Sequence, residues 1–320
     1  MNSGMTIGVP VLRIKNIDKV IAFYENSLGL QVNKRYRAHN GNGGNSGLIY
    51  EIGPKYASSM QSPLLILHHD PKARDTSQHS AGLFHFAMVV PDRKSLASTY
   101  LALIRVGVRY DGFADHLVSE SLYLRDPENN GIEIYRDRPA KEWPHDKQGH
   151  ILMDTLPLDL DSLVAEVNNQ EEKKRRKGKE EQNRNVTEAF STGVRIGHMH
   201  LRVTNLERSI RFYREKLGLD MMVDWRSVGA AFLSAGGYHH HIGINTWHSL
   251  DGEKVHSGSD AGLENFTITI PDKSSFNTLK SIFDSDTATS EQQKNKQKSS
   301  DNNHFSVFDP DGIHIVIKSS

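Results

Sequence analysis

The chain has 320 residues, with 39 Lys and Arg against 39 Asp and Glu, 17 His and no Cys. A net charge of zero supplies no long-range field for nucleic acid or an anionic membrane, and no run approaches the ~20 apolar residues that span a bilayer. Without cysteine there are no disulfides, no thiolate catalysis and no thiolate metal site, so any metal must be held by nitrogen and oxygen.

The chain opens on MNSGMTIGVPVLRI, which lacks a basic stretch followed by a long apolar run and does not read as a signal peptide. The expected compartment is the cytoplasm, with no nucleic-acid or membrane partner; a homodimer is compatible with the composition. From Val11 the sequence VLRIKNIDKVIAFYENSLGLQV reads as a strand, a helix and a glycine stop. HNGNGGNSG, from His39, is a glycine-rich loop without the spacing of a phosphate cradle. A second strand and helix begin at FHFAMVVPD, from Phe84, and RDPENNGIEIY follows from Arg125. The run EEKKRRKGKEEQNRN, from Glu171, is nearly all charge and has no apolar face, as in a solvated linker. Its KKRRK core also has the composition of a nuclear-localisation segment.

The same order then repeats. HLRVTNLERSIRFYREKLGLDM, from His200, restates the first motif, ENFTITIPD, from Glu264, the second, and FDPDGIHIVI, from Phe308, the third. Three matches in one order and nearly one spacing indicate two copies of one module. In the second copy, Thr204 and Asn205 with Glu207 suit a capping box. Leu206, Ile210, Tyr213 and Leu217 make a helical stripe, and Gly218 stands where a left-handed helix stop belongs. AAFLSAGGYHHHIGINTW then reads as strands, and SDTATSEQQKNKQKSSDNN, from Ser285, as a polar insertion. The predicted organisation is a first module over 1–149, a linker over 150–190 and a second module over 191–320. Each module holds two βαβββ units, so the chain holds four.

The strings GHMHLRV (from Gly197), GGYHHHIGINTW (from Gly236), GLFHFAMVVPDR (from Gly82) and DHLVSESLYLRDPENNGIEIYRDRP (from Asp115) resemble the vicinal oxygen chelate superfamily. This is the glyoxalase, bleomycin-resistance and extradiol-dioxygenase group, and the likeness is greatest to Bacillus-type catechol 2,3-dioxygenases. The resemblance covers nearly all of the chain outside the linker and the late insertion. It implies an α+β fold of two tandem glyoxalase-like modules, with mixed, strongly curved sheets around one cavity. It also implies metal ligands on the first strands of the units and the last strand of the even ones. Those positions are Val9, His85, His198 and Asn265, with Glu133 and His314. One combination is complete: His85, Glu133 and His198, the two-histidine, one-carboxylate set of non-haem Fe(II) oxygenases. Fe(II) is the expected metal and Mn(II) its substitute.

Strand parity agrees, because His198 and His200 share one face while Met199, Leu201 and Val203 share the other. Glu133 stands between Ile132 and Ile134 and points away from the apolar side. A lone strand histidine is more often structural than a ligand, but here three residues fall on three family positions. The resemblance further implies that Tyr123 and His116 hold a bound diol. It places a histidine acid–base on the strand of His239, His240 and His241. The match of HHIGIN favours His241, with His240 as the rival, and a run of surface-facing polar residues is the alternative. The implied activity is extradiol cleavage of a catechol-type substrate by O2. Other metalloenzymes of the superfamily (glyoxalase-type isomerases, thiol transferases) and a metal- or ligand-binding protein without catalysis are the rivals. The strand HHHIGIN has no Glu to serve as the fourth ligand a glyoxalase-type site wants.

Overall fold

The computed structural model describes residues 4–39, 45–55, 62–167, 193–256, 258–288 and 303–320. The charged run from Glu171, with its KKRRK core, lies outside the described residues. Two compact units are present, one of Arg13–Lys72 and His85–Ile196, the other of Met1–Leu12, Ala73–Phe84 and Gly197–Ser320.

The first strand, β1 (Thr6–Ile14), leads into α1 (Ile17–Leu28), β2 (Leu30–His39), β3 (Asn45–Pro54) and β4 (Leu65–His69). β2, β3 and β4 form an antiparallel meander. Then come β5 (Gly82–Val89), α2 (Arg93–Arg105), β6 (Tyr110–Asp115), β7 (Ser119–Arg125) and β8 (Gly131–Asp137). β5 pairs parallel with β8, and β8, β7 and β6 run antiparallel. In the other unit β9 (Arg195–Arg202), α3 (Leu206–Arg211), β10 (Asp220–Trp225), β11 (Ala230–Ser234) and β12 (Ile242–Asn245) repeat the plan. Again the last strand, β12, is parallel to the first, β9. β13 (Gly262–Ile270), α4 (Lys273–Ala288), β14 (His304–Phe308) and β15 (His314–Ser319) close the chain, β13 parallel to β15. Mixed sheets flanked by few helices make the fold α+β, as expected. In the fourth unit two strands follow the helix among the described residues. The helix α4 itself runs to Ala288, so the polar stretch from Ser285 begins inside a helix. No helix among the described residues is long and apolar enough to cross a membrane.

Local chemistry sets the helix ends. The Asn16 side chain accepts from Lys19 N–H, and Ile17, Val20, Tyr24 and Leu28 form the buried stripe of α1. Gly29 ends that helix at φ 65°, and Gly218 takes the same left-handed turn at φ 69°. The capping box expected at Thr204 and Glu207 does not form. Asn205, one residue later, caps α3 by accepting from Arg208 N–H, while Glu207 pairs with Arg226 at 3.2 Å. Thr204 is claimed instead by the buried Asp311 carboxylate, to which it donates both its N–H (3.0 Å) and its hydroxyl (2.6 Å). The helical stripe also departs from the expectation: Phe212–Lys216 widen into a π turn after the short α3.

Both units repeat one long-range device. Tyr24 Oη donates to Asp126 (3.4 Å) and Tyr213 Oη to Asp309 (3.2 Å), tying each odd-unit helix to the turn before the last strand of the following unit. Two residues on, Glu128 accepts from Lys15 N–H (2.9 Å) just as Asp311 accepts from Thr204 N–H. Burial is the largest influence on both aspartates, lifting Asp126 to about 6 and Asp309 to about 7. The sign follows from linkage: a carboxyl whose folded pKa is raised contributes stability that is complete below its unfolded value near 4 and is lost as pH rises through its folded value. Wild-type stability should therefore carry a downward slope between about pH 4 and pH 7 from Asp309. Asp309→Asn should flatten that slope, read as urea midpoints of the metal-free protein at pH 5 and pH 7.5. An unchanged pH dependence in the variant would refute the assignment.

Candidate metal centre

His85 lies on β5, Glu133 on β8 and His198 on β9, each on the strand expected for it. Alternation explains their direction. Ile132 and Ile134 are fully buried on one side of β8, and Met199 and Leu201 on one side of β9, so Glu133 and His198 emerge on the other. All three polar side chains are themselves buried, at 5%, 2% and 1% exposure for His85, Glu133 and His198. A buried carboxylate is costly unless it is paired, hydrogen-bonded or bound to a metal.

Glu133 is held at both oxygens. The Ser121 hydroxyl donates to Oε1 at 2.6 Å, and Oε2 lies 2.9 Å from His85 Nε2. Tyr123 stands directly across from Glu133 in the β7–β8 register, with its ring 5.5 Å from that of His85. Its hydroxyl is 2.7 Å from His116 Nε2. Burial, and after it the Glu133 charge, push the Tyr123 pKa well above the usual tyrosine value. His116 occupies the β6–β7 turn. The expectation that brought Tyr123 and His116 into one neighbourhood thus has a geometric counterpart, and the structure adds Ser121. Ser121 shares strand parity with Tyr123, but only the register of the hairpin places it beside Glu133.

The three histidines before β12 depart from the sequence reading. β12 begins at Ile242, so His239, His240 and His241 precede the strand and do not alternate across it. The reason lies in Gly236 and Gly237, at φ 71° and 78°, which turn the chain after β11 in a conformation no extended strand allows. Nor is the run surface-facing, since the exposures are 0%, 5% and 7%. His240 packs its ring 4.1 Å from that of His198 and 5.0 Å from that of Phe232. His239 Nδ1 lies 2.8 Å from His240 Nδ1. His241 Nδ1 is instead 2.7 Å from the Ser234 hydroxyl.

Among the described residues, one group has three metal-ligating side chains together: a ligand atom from each of His85, Glu133 and His198, all within 4.8 Å of one another. Two donors on one ion, each about 2.1 Å away, stand no more than about 4.2 Å apart, and the His85–Glu133 separation of 2.9 Å meets that limit. Two imidazoles and one carboxylate, buried together, are a donor set that fits a divalent metal. The other expected ligand positions lie on strands as well: Val9 on β1, Asn265 on β13, and His314 on β15, stacked on Phe308 at 4.7 Å and 14°.

The Glyoxalase/Bleomycin resistance protein/Dioxygenase superfamily matches residues 6–134 and 195–317, most of the chain and both copies of the repeat. The chain belongs to this superfamily. A catechol-2,3-dioxygenase of Bacillus subtilis (strain 168) is 33% identical over 266 residues, covering 83% of this chain and 82% of that relative. Among solved structures, a Bacillus subtilis subsp. subtilis strain 168 protein assigned as a dioxygenase aligns with TM-score 0.59 at 11% identity, over 98% of this chain and 84% of its own. Glyoxalase I from Zea mays aligns with TM-score 0.51 at 14% identity, over 99% and 92%. At such identities the structural likeness establishes the superfamily fold alone. The 33% relative and the His–Glu–His group together point to a dioxygenase-like superfamily member with a metal site.

Proposed function

We propose that this protein is an extradiol ring-cleaving dioxygenase acting on a catechol-type substrate, with His85, Glu133 and His198 holding one Fe(II), or Mn(II) in its place. The observation that carries the proposal is the buried His–Glu–His group, whose ligand types match an oxygenase set in a chain related to a catechol-2,3-dioxygenase. A glyoxalase-type reading is less favoured because β12, reading IGIN, offers no carboxylate. When bound, the metal would supply the redox chemistry between a catechol and O2, which imidazoles and carboxylates cannot.

The remaining work falls to side chains. Ser121 takes one Glu133 oxygen and leaves the other facing His85. Tyr123 and His116 form a hydrogen-bonded pair at the edge of that group, suited to orienting a ligand oxygen. A histidine moves the substrate proton, since imidazole titrates near neutral pH. In this proposal that histidine is His240, whose ring lies against His198, in preference to His241, which is engaged with Ser234. Ring cleavage beside the diol consumes one O2, places both of its oxygen atoms in the product and needs no external reductant.

The direct test is oxygen uptake by Fe(II)-loaded protein with catechol, together with formation of a yellow semialdehyde. Uptake at the no-enzyme rate would remove the dioxygenase reading. One complete ligand set implies one metal per chain, and elemental analysis giving two tightly held ions would contradict it. Ser121→Ala should weaken metal binding by about 10- to 100-fold, the usual effect of losing a group that orients a ligand. Competition against a chelating dye measures this directly, and Ser121→Thr should restore most of the affinity. Wild-type affinity in Ser121→Ala would show that Ser121 does not orient Glu133.

A further inference from the structure

Beyond β8 the chain passes through a short helical turn at Ala140–Glu142, bridges His145 to Ile151, and returns along the edge strand β6. There Leu156 exchanges both backbone hydrogen bonds with Asp115, N–H to O at 2.9 Å and the reverse at 2.8 Å. This pairing sets the Asp154 carbonyl 2.8 Å from Nδ1 of His116. A carbonyl oxygen only accepts, so Nδ1 carries a proton. Nε2 of the same ring is the atom 2.7 Å from the Tyr123 hydroxyl. In a neutral imidazole with Nδ1 protonated, Nε2 accepts, and Tyr123 O–H must be the donor. The turn that carries His116 is itself constrained. His116 N–H donates to Ser119 O at 2.8 Å, and Leu117 sits at φ 68°, a conformation leucine rarely adopts. Arg138 adds a 2.6 Å ion pair to Asp115.

We propose that residues 153–157 are a positioning strap whose Asp154 carbonyl holds neutral His116 in its Nδ1–H form, so that Tyr123 donates to His116 and presents its oxygen lone pairs to a bound ligand. For a neutral ring the tautomer follows from the hydrogen bonds alone; its consequence for the ligand rests on the dioxygenase reading above. Tyr123 then accepts a hydrogen bond from the ligand, which favours a ligand oxygen that still carries hydrogen. Glu133 is the competing acceptor for the Tyr123 proton, because its charge and a side-chain hydrogen bond both act on that hydroxyl. A hydroxyl turned to Glu133 would require His116 Nε2 to donate, which makes His116 an imidazolium. The two arrangements differ by one proton on His116 and are therefore separable.

The test uses full-length, metal-free protein with 15N-labelled histidine rings, studied by long-range 15N–1H correlation at about pH 8, above the ordinary histidine range. The His116 signals are identified by their loss in His116→Gln. The expected spectrum has His116 protonated at Nδ1 and bare at Nε2. A ring protonated at Nε2 alone, or at both nitrogens, would overturn the proposal. Two variants then loosen the strap. Leu156→Pro removes the N–H given to Asp115, and Asp154→Gly removes the carboxylate that accepts from Thr155 N–H at 2.7 Å while keeping the Leu156 pairing. In either variant His116 should shift from one tautomer to a mixture of both. If Leu156→Pro does not fold, Asp154→Gly decides. An unchanged Nδ1–H signal in a folded variant would refute the strap and leave the dioxygenase reading untouched. Failure to turn over catechol with the tautomer as expected would count against the reaction alone.

Discussion

Replacing His85, Glu133 or His198 with alanine should each remove metal affinity by about 100-fold or more, beyond the 10- to 100-fold loss typical of groups that merely orient a ligand. Two remaining donors leave an ion largely to water. The three residues are buried and close, so the loss should be common to all three. His314→Ala and Asn265→Ala should bind metal as the wild type does, because neither belongs to the group. The measurement is dialysis equilibrium or chelator competition on each folded variant, with circular dichroism to show that the fold survives. Retention of metal by any of the first three variants would remove that residue from the ligand set. Loss of metal from His314→Ala would place a ligand on β15 instead.

His240→Ala should lower turnover by about 10²- to 10⁴-fold, the range for a general acid–base, while the metal stays bound. His241→Ala should have the smaller effect on turnover, because its imidazole is tied to Ser234 while the His240 ring packs against His198. The pair of variants separates the two roles that sequence likeness left in competition. A turnover loss confined to His241→Ala would return the acid–base role to that residue. Metal loss from His240→Ala would make it a ligand and change the coordination argument as a whole. Oxygen uptake under saturating catechol, normalised to bound metal, reads both outcomes.

Much of the architecture was legible in the chain because it is repeated. Two copies of strand, helix and glycine stop reveal each other's periodicity, and Leu12, Tyr24 and Leu28 find their equivalents in Leu201, Tyr213 and Leu217, all buried. The positions of His85, Glu133 and His198 on their strands followed from the same alignment with a known superfamily. Their inward direction followed from the parity of the apolar residues beside them, a local property that a strand fixes by its two-residue period.

What the sequence could not determine were features that depend on which distant atoms meet. Thr204 looks like a helix cap until the Asp311 carboxylate, 107 residues away in sequence, takes both of its donors. His239 to His241 look like an alternating strand until two left-handed glycines turn them out of it. Ser121 has no signal of its own, because only the β7–β8 register sets it against Glu133. The direction of the His116–Tyr123 hydrogen bond is decided by a backbone carbonyl 38 residues from His116. Periodicity and motif spacing were enough to assign elements and faces, and the resemblance to the superfamily named the candidate ligands. Hydrogen-bond partners, and the contacts that favour His240 over His241 in the proposal, had to wait for the tertiary structure, because a donor's partner is chosen by proximity in space and sequence order does not encode it.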